Sequence, residues 1–153
     1  MPESQPTADL YLEDLVVGRR FCSSELELDE AGLKAFASQF DPQPFHLDDE
    51  AAKPTLFGGL AASGWYTAAI TMRLMVESVP IAKGLIGAGG EITWPRPTRA
   101  GEILHVESIV QEIIPSRSKP DRAMVTLESL TFNQQGELLQ RLVSRLVIFK
   151  RNP

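Results

Sequence analysis

The stretch Asp41–Trp65, DPQPFHLDDEAAKPTLFGGLAASGW, joins an acid, a histidine, a Gly-Gly break and the start of a long apolar run. Asp41 and His46 are an acid and an imidazole separated by four residues. Pro42 and Pro44 fix their own φ and push the residues before them to extended geometry, which keeps the intervening chain out of a helix. Asp followed by Pro favours a β-turn over Asp41–Pro44, and such a turn returns Asp41 towards His46. Pro44 resists a type I turn, because Gln43 would need a near-helical ψ. Gly58 and Gly59 then permit a sharp change of direction. A long helix is predicted from about Leu60 to Glu77. Arg73 is its one charge before Glu77, so nearly every face is apolar and burial on most sides is expected.

Upstream, Asp29 is a good N-cap. It precedes Leu33, Phe36, Ala37 and Phe40 at helical spacing. Phe21–Leu28 reads as the first strand, and residues 1–9, polar with Pro2 and Pro6, as a disordered tail. Asp48 can cap a short helix through Ala52, closed by Pro54. Downstream the pattern changes to strands over Leu85–Trp94, Ile103–Ile114, Met124–Phe132 and Leu138–Phe149. Gly87, Gly89 and Gly90 mark a bulge or a crowded crossing in the first of these. Ile103, Val106, Ile109 and Ile113 are the apolar anchors of the second. Asn133–Glu137 is a hairpin loop. There is no repeat and no linker, so residues 10–153 form one α+β domain.

At 153 residues the chain has the length of one domain, and a 43% apolar fraction is ordinary for a globular protein. A net charge of −5 argues against nucleic-acid binding, since no basic surplus exists to neutralise phosphates. The single Cys22 suits a reducing cytoplasm, and no signal segment opens the chain. Leu60–Val76 is interrupted by Ser63, Gly64, Thr67, Thr71 and Arg73, which reads as a buried helix and not a membrane span. His46 and His105 are far apart and Cys22 has no partner, so no metal is expected. No phosphate-binding glycine fingerprint occurs, so no cofactor is expected either.

The stretch resembles the MaoC-like dehydratase family, which includes the (R)-specific enoyl-CoA hydratases. The matching residues are Asp41, Pro44, His46, Asp48, Ala51, Ala52, Phe57 and Gly64. A second match falls on Pro97, Thr98, Gly101 and Glu102, where the family carries Pro-Val-x-x-Gly-Asp. Gln43 stands where the family usually has Asn, and Ser63 where it often has His. The resemblance implies a single hot-dog domain, a curved antiparallel sheet wrapped around a long central helix. It also implies an acyl-CoA thioester as substrate and a homodimer or dimer of dimers.

His46 is the candidate acid–base group, because imidazole gives and takes protons near neutral pH. Asp41 is its candidate partner on a shared water; its bland reading is a turn residue. Asp48, the nearer carboxylate, reads better as an N-cap. Gly64 and Ser63 begin a helix where small residues often serve packing alone. The resemblance gives Gly64 the amide that polarises the thioester oxygen, with Gly59 as the fallback, on the positive end of the helix dipole. Phe57, Gly59, Ser63, Arg117 and Lys119 are the remaining candidates for substrate binding. Arg96, Arg99 and Arg122 share with Arg117 and Lys119 a candidate role on CoA phosphates, against the plainer reading of solvated loop charges.

Overall fold

The computed structural model describes residues 9–152. The expected tail over residues 1–9 therefore lies outside the described residues, apart from Asp9. The chain runs through β1 (Arg20–Cys22), β2 (Leu26–Glu27), α1 (Glu30–Phe40), α2 (Pro44–Leu47) and α3 (Asp49–Ala52). It continues through α4 (Gly64–Ser78), β3 (Ile86–Thr93), β4 (Ile103–Pro115), β5 (Arg122–Phe132) and β6 (Leu138–Phe149). The strands form one antiparallel sheet in the order β1-β4-β5-β6-β3, with β2 also on β4. The sheet folds about α4 in a single hot-dog domain.

Alternation in the sequence decides which face is covered. Along β5, Ala123, Val125, Leu127, Ser129 and Thr131 are buried in strict alternation. Along β4 the buried set is Leu104, Val106, Ser108 and Val110. Leu74 and Met75 of α4 pack into this face with Leu127, Leu139 and Ile148. Of the four expected β4 anchors, Val106 alone is fully buried. The two-residue period sends Ile103 and Ile109 to the other face, and a bulge after Val110 brings Ile113 back against the core.

Two elements differ from the sequence expectation. The predicted strand Phe21–Leu28 is two short strands. Ser23 interrupts the ladder: its backbone N–H donates to Val106 O at 2.8 Å, and its Oγ accepts from Val106 N at 2.8 Å. The long helix begins at Gly64 instead of Leu60, because residues 60–62 are drawn out by distant partners. Leu60 N–H donates to Asp49 Oδ1 at 2.8 Å, Ala61 N–H to Phe45 O at 3.1 Å and Ala62 N–H to Thr98 O at 2.8 Å. Ser63 then caps the helix.

The helix is also less enclosed than its composition predicts. Trp65, Met72 and Val76 remain exposed, because the sheet covers one side of α4 only. The expected glycine bulge is present as a register shift between Gly87 and Gly89. At Gly90 any Cβ would run into the carbonyl of Val143, so this crossing requires glycine. No described helix is long and apolar enough to cross a membrane.

Candidate active site

Asp41 is the C-cap of α1, its N–H donating to Ala37 O at 2.9 Å. The expected β-turn is replaced by a tighter one: Gln43 N–H donates to Asp41 O at 2.8 Å, around Pro42. Gln43 stays extended at ψ 145°, as a residue before proline prefers. Pro44 does not exclude a helix. It opens α2 at the first helical position, where a missing N–H costs nothing. One turn of α2 then carries His46 inward, where it is 5% exposed.

His46 Nδ1 lies 2.7 Å from Ala61 O. A carbonyl only accepts, so Nδ1 carries the proton and Nε2 is the reactive nitrogen. Nε2 stands 3.3 Å from Asp41 Oδ2. Phe45 meets the imidazole edge-on at 4.5 Å and Phe57 lies 5.8 Å away, giving the ring apolar walls.

Asp41 is held from two further sides. Gln43 Nε2 donates to Oδ1 at 2.5 Å and Ser63 Oγ donates to Oδ2 at 2.7 Å. Burial pushes the Asp41 carboxyl up. The hydrogen bonds from Gln43 and Ser63, with the charge of a protonated His46, outweigh it and hold the pKa below its ordinary 3.8. Asp41 is thus a fixed carboxylate, and Gln43 and Ser63, which both depart from the family pattern, are the residues that fix it. Ser63, a candidate for substrate contact, is fully buried and serves Asp41 and the helix cap instead.

The pair opens on a cavity of about 520 Å³, with Phe57, Gly64, Trp94 and Thr98 among its walls. The first turn of α4 contributes one unpaired donor to it. Trp65 N–H is capped by Ser63 Oγ at 3.2 Å, and the Tyr66 and Thr67 amides go to Ser63 O. The Gly64 amide has no acceptor among the described residues. Trp94 packs on Gly64 and donates its indole N–H to Gln140 Oε1 at 2.9 Å.

Other expectations do not meet this cavity. Gly59 precedes the true helix start, so it loses the dipole argument, and its carbonyl accepts from Arg99. Arg99 is no free cation for phosphates: its guanidinium also bonds Leu60 O at 3.0 Å and Phe57 O at 2.5 Å, clamping the loop that presents Phe57. Arg117 lines a separate cavity with Ile114, Arg122 and Met124, beyond the far end of β4. Lys119 lies on the same connection, and Arg122 is engaged with Asp121. Of the five basic candidates, Arg96 alone lines the main cavity, where it pairs with Glu137 at 2.6 Å. Asp48 caps α3 through Glu50 N–H, as its N-cap reading requires. The wall formed by Trp94 and the loop clamp formed by Arg99 have no local signal in the sequence, because their partners lie 46 and about 40 positions away.

Comparison with known proteins agrees with this fold. A MaoC-like dehydratase of known structure from Rhodospirillum rubrum is 59% identical, over 94% of this chain and 99% of its own, with a TM-score of 0.92. The R-hydratase PhaJ1 of Pseudomonas aeruginosa is 25% identical over 94% of this chain and 88% of its own, with a TM-score of 0.74. A 3-hydroxybutyryl-CoA dehydratase of Methylorubrum extorquens is 32% identical over 111 residues, 72% of this chain and 69% of that protein. The family model described as "MaoC like domain" matches residues 16–131, and the chain belongs to the MaoC-like dehydratase family.

Proposed function

We propose that this protein reversibly adds water across the double bond of a 2-enoyl-CoA. The observation that carries the reading is the Asp41 Oδ2–His46 Nε2 pair, 3.3 Å apart, opening on a cavity beside the unpaired Gly64 amide. Two acceptors facing one another in this way are suited to share one water, each taking one of its hydrogens. His46 Nε2 removes a proton from that water, and the hydroxide forms a bond to C3. The π pair of C2=C3 moves onto the thioester oxygen, where Gly64 N–H meets the developing charge. The pair then returns to C2, which takes the proton back from the imidazolium. Asp41, kept ionised, orients the water and stabilises the imidazolium. The names of the hydratase and dehydratase relatives support the same substrate class.

A crotonyl-CoA assay tests the reading. The expected result is loss of the enone absorbance with no release of free thiol. Release of free CoA identifies a thioesterase on the same fold instead, since fold does not fix function. Binding without either change identifies an acyl-CoA-binding protein.

The functional form is proposed to be a homodimer. Strand β3 is paired with β6 on one side only, and an open edge invites another strand. The exposed Trp65, Met72 and Val76 of α4 add an apolar face of the kind that partners cover. Light scattering at micromolar concentration is expected to give a dimer or a dimer of dimers. A stable monomer contradicts it.

A further inference from the structure

We propose that Thr98 is a second donor to the thioester oxygen, so that the developing oxyanion is met by Gly64 N–H and by the Thr98 hydroxyl together. The inference rests on the hydratase reading above. It begins with Thr98, a threonine buried in the wall of the cavity. Threonine and valine have the same shape, so packing alone does not call for the hydroxyl. Burying a hydroxyl is unfavourable unless it is hydrogen-bonded, and a donor left without an acceptor is costly.

At Thr98 only an accepted bond is present among the described residues. Thr98 is 3% exposed and lines the cavity that Asp41, His46 and Gly64 also line. Thr67, one turn along α4 from Gly64 and itself 1% exposed, donates its Oγ1 hydrogen to Thr98 Oγ1 at 3.0 Å. That bond occupies Thr98 as an acceptor. Its own hydrogen has no acceptor among the described residues. The backbone leaves Thr98 little freedom, because its carbonyl accepts from Ala62 N–H at 2.8 Å, just ahead of the Ser63 cap. The cavity therefore has two unpaired donors among its lining residues, the Gly64 amide and the Thr98 hydroxyl. The Gly64 amide is set by the helix and Thr98 by its bonds to Thr67 and Ala62, and donors placed in advance are the condition for stabilising charge as it develops. Thr67 is a positioning residue in this scheme: by filling the Thr98 acceptor site, it leaves the Thr98 hydrogen free for the ligand.

The step uses no group beyond those already named. As the hydroxide oxygen bonds to C3, the C2=C3 pair moves towards the thioester carbonyl, and its oxygen gains charge. The two hydrogen bonds strengthen at that point and relax when the pair returns to C2 and C2 is protonated. No proton leaves Thr98.

The test is crotonyl-CoA kinetics on Thr98→Val, Thr98→Ser and Thr67→Val, with melting temperatures on the same samples. Thr98→Val is expected to lower kcat and kcat/KM together by roughly 100-fold, as loss of one oxyanion donor does. Thr98→Ser is expected to stay within a few-fold of wild type. Thr67→Val is expected to lose several-fold in kcat while Thr98 is untouched, so the proposal stays testable should Thr98→Val not fold. Full turnover in folded Thr98→Val overturns it. So does a rise in KM at constant kcat, or equal losses in the Val and Ser variants tracking a lowered Tm. Full kcat in Thr67→Val overturns the positioning role. A wild-type protein inactive on every enoyl-CoA refutes the hydratase reading itself, which is a different result from an active wild type with an active Thr98→Val.

Discussion

His46→Ala and Asp41→Asn each lower kcat by on the order of 100-fold or more, with the protein still folded and still binding a saturated acyl-CoA. His46 Nε2 is the one imidazole nitrogen at the cavity with a lone pair free, because Nδ1 is engaged with Ala61 O. Removing it leaves no proton acceptor of comparable strength, since Asp41 is held as a weakly basic carboxylate. Asp41→Asn keeps the shape and still accepts from Ser63, so its loss of rate is read as chemistry and not as collapse. The pH dependence has a defined sign. A depressed carboxyl pKa stabilises the fold above the ordinary 3.8 and ceases to do so as pH falls through the lower folded value. The Tm difference between wild type and Asp41→Asn is therefore expected to hold steady above 3.8 and to narrow below it. Full activity in either variant removes the pair from the mechanism, and a Tm difference that widens in acid refutes the carboxylate assignment.

The parts of the fold that could be read in the sequence are those specified by neighbours. Asp29 caps α1 from three residues away, and β5 shows its buried face through simple alternation. The proximity of Asp41 and His46 could be read because four residues separate them, although the path between them is a tighter turn and a helical turn opened by Pro44 instead of the expected β-turn. What could not be read depends on contacts across the chain. Residues 60–63 are as compatible with a helix as with an extended run. The choice is made by Asp49, Phe45 and Thr98, which take the Leu60, Ala61 and Ala62 amides. The role of Ser63 required Asp41, 22 positions earlier, to be folded back onto it. Arg99 looked like a free cation because its acceptors are backbone carbonyls, which have no sequence signature.

Gly64→Ala sharply lowers kcat/KM and also lowers Tm by several degrees. The substitution keeps the amide that is proposed to meet the thioester oxygen, so any loss comes from the added methyl. A Cβ at this position would lie 2.8 Å from Trp94 Cε2, 2.9 Å from Cζ2 and 3.0 Å from Cδ2. Something must move, and the indole is not a flexible chain end. Its N–H is tied to the buried Gln140 at 2.9 Å, and it meets Trp65 edge-on at 5.3 Å. Overpacking of this kind costs about 1–3 kcal/mol, and for a domain of this size each kcal/mol lowers Tm by roughly 2–4 °C. The better helix propensity of alanine, about 1 kcal/mol in a helix interior, is smaller, and Gly64 lies at the first helical position. Because Trp94 is also a wall of the cavity, the displaced ring intrudes where the thioester must lie. The double variant Gly64→Ala with Trp94→Leu separates the two effects. Recovery of Tm with recovery of kcat/KM assigns the loss to the shifted indole. Recovery of Tm alone shows that the methyl itself stands against the substrate. A single Gly64→Ala variant with wild-type Tm and wild-type kcat/KM refutes the placement of the thioester oxygen at the Gly64 amide.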